Sequence, residues 1–234
     1  FFVIKSILFK TFMVSLPVWY LRFTFFNLRR MLMNKSFIIK IIVLCLVTIK
    51  VSAIEKVILF GDSLMAGYGL PKEQHLSVVL QNSLELEGYN IEIVNGSVSG
   101  STSAGGLNIA EWTLSESNID LMILCLGAND MLRGINPKET KNNLEEIIKI
   151  AKSKNIKVII AGMIAPTSYG FGYKKSFDRI FSDLSKKYEL QLIPFLLEGV
   201  AQKPEFNLSD GMHPNDQGTI IIGNTLKKAI LENL

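Results

Sequence analysis

The sequence has only two histidines, His75 and His213, so any chemistry that needs an imidazole base has two places to happen. A serine hydroxyl becomes a nucleophile when a neighbouring base takes its proton, and histidine is the side chain most often used. His213 follows Asp210 by three residues in the run Asp210-Gly211-Met212-His213-Pro214, which must turn. Such a turn can lay the carboxylate against Nδ1 and leave Nε2 free to accept a proton. It can equally be an acidic turn in which Asp210 bonds a backbone N–H. His75 stands beside Lys72, Glu73 and Gln74 at the head of a predicted helix and is read as solvated surface.

The candidate nucleophile is Ser63, in Gly61-Asp62-Ser63-Leu64. A serine there could also simply cap the next helix. Two further blocks supply uncharged donors: Gly100, closing Asn95-Gly96-Ser97-Val98-Ser99-Gly100, and Asn129, in Gly127-Ala128-Asn129-Asp130. A glycine lets substrate approach the backbone, and an asparagine amide donates without charge. Read separately, the first is a turn glycine and the second an Asx turn. Together with the N–H of Ser63 they could converge on one oxygen as an oxyanion hole, whose single donors are worth about 10²- to 10³-fold in rate.

These residues act together only if the fold gathers them. From Lys56 short apolar runs alternate with amphipathic stretches, the pattern of strands joined by helices around a parallel sheet. Strands are predicted at Val57 to Phe60, Ile91 to Val94, Leu121 to Leu126, Val158 to Ile160 and Leu190 to Ile193. Runs apolar at most positions suit strands covered on both faces. Helices are predicted at Leu76 to Glu87, Gly106 to Ser115, Pro137 to Lys154, Lys174 to Tyr188 and Asp216 to Leu231. The expectation is one α/β domain over residues 54–234, a three-layer α/β/α sandwich. In such sheets ligands bind beyond the carboxyl ends of the strands, where the first three blocks fall. Cys125 lies inside an apolar run and is read as a small hydrophobe.

Residues 1 to 54 carry eight Lys and Arg and no Asp or Glu, so with the whole chain at +4 the remainder carries −4. A mildly acidic body gives no reason to expect nucleic-acid binding. From Met33 a basic start, the apolar run Ile41 to Ile49 and Val51-Ser52-Ala53 have the order of a signal peptide cut after Ala53. The run is about half the ~20 residues of a membrane-spanning helix. Export to the periplasm or medium is therefore expected, with an uncleaved membrane anchor as the alternative. Residues 1–32 read as an over-extended reading frame or a membrane-facing extension. The two cysteines are Cys45 and Cys125, so a chain cut after Ala53 would hold one thiol, too few for an internal disulfide or a cysteine zinc site.

Taken in order, the four blocks resemble the SGNH hydrolases, or GDSL family, over most of the body. Asn95 to Ser103, Asp130-Met131-Leu132-Arg133-Gly134 and Ile193-Pro194-Phe195 are similar to its thioesterase I/lysophospholipase L1 and arylesterase type. The resemblance implies a flavodoxin-like five-stranded parallel sheet and a serine esterase with no metal or organic cofactor. It makes Ser63 the nucleophile, His213 the base, Asp210 its orienter, and Ser63, Gly100 and Asn129 the oxyanion donors. Asp62, Met131, Leu132 and Pro166 are then the candidate substrate contacts, with Met131 to Asn136 moving over the acyl chain. Met131 and Leu132 are read equally as local core. Position 128 is Ala where that type has Gly, and Ala165 stands where a larger apolar residue is usual.

The expected substrate is a small-molecule or lipid acyl ester, with transient membrane-surface contact and a monomeric enzyme. A carbohydrate O-acetyl esterase of the same superfamily is the second reading. A non-catalytic binding module would have lost Ser63, Asp210 or His213, and all three are present. A membrane-organising role for residues 1–50 is the other non-enzyme reading.

Overall fold

Five runs of Val, Ile and Leu pair side by side in a computed structural model that describes residues 54–234. They are β1 (Lys56–Gly61), β2 (Glu92–Asn95), β3 (Leu121–Cys125), β4 (Lys157–Ala161) and β5 (Gln191–Ile193), all parallel in the order β2-β1-β3-β4-β5. Every side chain of β3 is fully buried, as a strand covered on both faces requires, whereas the edge strand β2 is half exposed. The signal segment, the preceding stretch and Cys45 lie outside the described residues. Among the described residues no helix is long and apolar enough to cross a membrane.

One-turn helices α1 (Ser63–Ala66) and α4 (Ala128–Leu132) follow β1 and β3 directly. The longer helices are α2 (Leu76–Leu86), α3 (Ser103–Thr113), α5 (Pro137–Ser153), α6 (Phe171–Tyr188) and α7 (Asp216–Leu231). Helix α2 packs on α7, while α3 packs on α5 and α5 on α6. The division follows from handedness: right-handed crossovers running outward from β1 and back across it leave their helices on opposite faces. Three layers result.

The predicted elements are present with shifted ends. Helix α3 starts three residues earlier than its apolar spacing suggests, because Thr102 caps it by accepting from the Gly105 N–H. Gly105 and Gly106 dilute the pattern there, and Gly106 lets the helix close on Leu126. Helix α6 likewise begins at Phe171, directly after Gly170 in a positive-φ conformation. Helices α1 and α4 are too short to show a period and were not expected.

The chain leaves β1 for one side of the sheet and enters β3 from the other, so the loops after these neighbouring strands diverge. Register places Gly61 opposite Cys125 at that carboxyl edge. A Cβ on Gly61 would sit 2.7 Å from the Cys125 carbonyl oxygen and 2.7 Å from the Met65 side chain, so only glycine lets the chain turn here. The turn delivers Asp62 and Ser63 to the crevice.

Candidate active site

Asp62 caps α1, its Oδ1 accepting from the Leu64 N–H at 3.1 Å, and Ser63 is the first helical residue. The capping role considered for Ser63 thus belongs to its neighbour, which leaves the serine hydroxyl free. Ser63 Oγ lies 2.9 Å from His213 Nε2, across 150 residues of sequence. His213 Nδ1 lies 2.7 Å from Asp210 Oδ2. With Nδ1–H donated to the carboxylate, Nε2 is the acceptor for the serine proton.

Both readings of Asp210 hold at once, each on a different oxygen. Oδ1 accepts the backbone N–H groups of Met212 at 2.8 Å and His213 at 3.0 Å, while Oδ2 takes the imidazole. The turn that satisfies the backbone is what aims the ring. Those two N–H groups, joined by the imidazole, hold the carboxyl down to about 2, most of the effect coming from the backbone.

Ser63, Gly100 and Asn129 line one cavity. Gly100 adopts φ +78°, and among the described residues neither its N–H nor that of Ser63 has an intramolecular acceptor. Asn129 spends one amide hydrogen on Asp62 Oδ2 at 3.3 Å, leaving the other available. Three donors without a further acceptor are therefore available at one cavity.

Asp62 is expected as a substrate contact, and the structure turns it away from the cavity. It is fully buried and does not line the cavity, because both its oxygens turn back to Leu64 and Asn129. Burial pushes its carboxyl up to about 6, against the opposing effect of its hydrogen bonds and of His213. Asp130 is buried too, accepting from the Ser103 N–H at 2.7 Å, from Thr140 Oγ1 at 3.1 Å and from the Ser103 hydroxyl. It ties α4, and with it Asn129, to α3 and α5.

The cavity encloses about 580 Å³, a size typical of small-molecule sites. Its walls are mostly apolar and include Met131, Leu132, Met163, Pro166, Phe195 and Leu197. Met131 is buried and belongs to the hydrophobic core as well, whereas Leu132 is half exposed at the rim, so the core reading applies to one and not the other. Ala165 is buried and does not reach the cavity; its N–H donates to Asp178 Oδ1 at 2.9 Å.

His75 departs from the expected solvated surface. It is half-buried, its ring lies over Gly67, and Nε2 is 3.1 Å from the Leu70 carbonyl, pinning the loop after α1. That loop carries Tyr68, whose ring centroid is 4.5 Å from that of His213 and which also lines the cavity. No spacing rule points to a lone loop tyrosine; the flanking Gly67 and Gly69, both at positive φ, were its one signal. Arg133 was also missed as a site residue: its Nη2 donates to the Gly100 carbonyl at 3.0 Å. Cys125 is fully buried, and burial pushes its thiol well up, away from any nucleophilic role. Among the described residues no group of three or more His, Cys, Asp or Glu could hold a metal.

A hydroxyl bonded to an imidazole at the switch point of a parallel sheet, beneath an apolar cleft, marks out the α/β/α serine hydrolases of carboxylic esters. The chain belongs to the GDSL-like lipase/acylhydrolase family, whose model matches residues 59–219. It is 35% identical over 182 residues to an arylesterase of Vibrio mimicus, covering 78% of this chain and 91% of that one. It is 30% identical over 187 residues to thioesterase 1/protease 1/lysophospholipase L1 of Escherichia coli (strain K12), covering 80% and 88%. Among solved structures, the psychrotrophic esterase EstA of Pseudoalteromonas sp., inhibited by monoethylphosphonate, matches with a TM-score of 0.73 and 29% identity over 76% of this chain and 97% of that one.

Proposed function

We propose that Ser63, His213 and Asp210 are the catalytic residues of an esterase acting on acyl chains of medium or greater length. Ser63 Oγ attacks the ester carbonyl as His213 Nε2 takes its proton. The carbonyl oxygen, now charged, is received by the N–H groups of Ser63 and Gly100 and by the Asn129 amide. His213 then returns the proton to the leaving alcohol as the C–O bond breaks, giving an acyl-serine. Water, deprotonated by the same imidazole, releases the acid and regenerates Ser63. Asp210 stays ionised throughout and stabilises the imidazolium.

The observation that carries this reading is the hydrogen-bonded line from Ser63 to Asp210 opening on an apolar cavity. The names of the relatives, an arylesterase and a thioesterase/lysophospholipase, favour carboxylic and thioesters. The apolar walls favour a fatty acyl group over the sugar of an O-acetylated glycan. Hydrolysis of p-nitrophenyl esters from acetyl to palmitoyl by residues 54–234 tests it. A rate rising with chain length and abolished in Ser63→Ala is expected. Activity confined to the acetyl ester would favour the deacetylase, and no serine-dependent activity would favour a binding module.

Transient contact with a lipid surface fits the half-exposed apolar side chains of Tyr68, Leu132, Ile164 and Met212, which border the same cavity. Sedimentation with phosphatidylcholine vesicles checks it, absence of co-sedimentation counting against it. Export follows from the leader's pattern, with the working enzyme starting near Ile54 as a monomer. N-terminal sequencing and gel filtration of the processed protein test both.

A further inference from the structure

Gly100 is poorly held for a residue asked to present a donor. It is exposed, has φ +78°, and a Cβ built on it would meet nothing within 4 Å, so no neighbouring atoms wall it in on that side. Locally the turn is closed by a bond from the Ser101 N–H to the Val98 carbonyl at 3.1 Å, and the Val98 N–H donates to the Gly61 carbonyl at 3.0 Å two residues before the glycine. Three residues on, the same loop is anchored firmly, because Ser103 binds the buried Asp130 through both its N–H and its hydroxyl. At Gly100 itself, the tie to the rest of the molecule among the described residues is Arg133, whose Nη2 donates to the glycine carbonyl at 3.0 Å.

Arg133 ends α4, its own N–H donating to the Asn129 carbonyl at 3.1 Å. One residue thus touches the backbone of two oxyanion donors, through its main chain at Asn129 and its side chain at Gly100. Hydrogen bonds with an ionised donor are about twice as strong as neutral ones, and this one is a single bond from Nη2 at the exposed surface. Misplacing a reacting group by about 1 Å can cost on the order of 10²-fold in rate.

We propose that Arg133 is a positioning residue that clamps the Gly100 turn to the helix carrying Asn129 and so sets the spacing between two donors of the oxyanion hole. The proposal rests on the assignment of those donors above. It acts on the transition state and not on the acyl chain, because Arg133 does not line the cavity.

The test compares the wild type with Arg133→Ala and Arg133→Lys on p-nitrophenyl butyrate and p-nitrophenyl laurate. Phosphonylation of Ser63 by a p-nitrophenyl alkylphosphonate and thermal melting are measured alongside. In Arg133→Ala we expect kcat to fall about 10- to 100-fold on both esters alike, with KM little changed, phosphonylation slowed in parallel and Tm retained. Arg133→Lys, which keeps a charged donor, recovers part of the loss. An unchanged kcat in Arg133→Ala overturns the proposal, as does a fall seen as a higher KM, on one ester only, or in step with a lowered Tm. Wild-type phosphonylation at Ser63 separates the two claims: if it occurs and Arg133→Ala matches it, the esterase reading stands and this one fails.

Discussion

The Asn129 amide nitrogen lies 3.3 Å from Oδ2 of Asp62, so the side chain facing the cavity is oriented from behind by a carboxylate that never reaches it. Asp62 therefore bears on Asn129, the proposed oxyanion donor, while itself staying off the cavity wall. Because the carboxylate can only accept, it also decides which end of the amide faces it.

Asp62→Asn replaces that acceptor with an amide that can also donate, which allows Asn129 to turn its carbonyl inward. Loss of one oxyanion donor lowers kcat by about 10²- to 10³-fold, with KM little affected. Steady-state kinetics against the same esters check this, and an unchanged kcat would count against the positioning role.

The same carboxyl has its value raised from 3.8 to about 6 by burial. The folded state thus holds a proton that the unfolded chain has lost between about pH 4 and 6, and stability falls as pH rises through that window. Keeping Asp62 ionised at pH 7 costs on the order of 3 kcal/mol relative to a solvated carboxylate. Asp62→Asn should melt at or above the wild-type temperature at pH 7 while losing activity. A lower melting temperature would contradict the sign. In the wild type, kcat/KM should fall below about pH 6 as Asp62 protonates, and this component should be missing from the mutant profile.

Asp210 is displaced the other way, to about 2, so its stabilising bonds are present above the ordinary value of 3.8 and are lost as pH falls through about 2. Asp210→Asn keeps an oxygen for the Met212 and His213 N–H groups but loses the charge opposite the imidazolium. Activity should drop by about 10²- to 10⁴-fold with the melting temperature nearly retained, a split that circular dichroism and kinetics on one sample would reveal.

Met131 and Leu132 are adjacent yet should behave differently. Truncating the buried Met131 to Ala removes core packing and should cost about 2–5 kcal/mol of stability. Leu132→Ala should leave stability within about 0.5 kcal/mol and instead raise KM for long-chain esters more than for short ones. Urea unfolding and chain-length profiles distinguish them; equal destabilisation would refute the division between core and rim.

Tyr68→Phe should keep near-full activity, since it retains the ring that lies 4.5 Å from that of His213. Tyr68→Ala should reduce kcat by about 2- to 10-fold, the worth of one aromatic contact. A large loss in Tyr68→Phe would point to the hydroxyl.

Much of this molecule was legible in one dimension because its signals are local. Runs such as Leu121–Cys125 announce buried parallel strands, and the spacing of Leu144, Ile147, Ile148 and Ala151 announces a helix face. The blocks around Ser63, Gly100, Asn129 and His213 carry their meaning in short stretches whose place after a strand already points to the crevice. What chain order could not supply is direction. Whether Asp62 faces substrate or turns inward, whether Met131 or Leu132 is the core residue, and whether His75 is solvated all depend on which way a side chain points once the layers close. The same holds for Tyr68 on His213 and Arg133 on Gly100, contacts between loops 145 and 33 residues apart. Such pairs have no repeat or spacing of their own: they exist because parallel strands in the order β2-β1-β3-β4-β5 bring separate loops to one edge of one sheet.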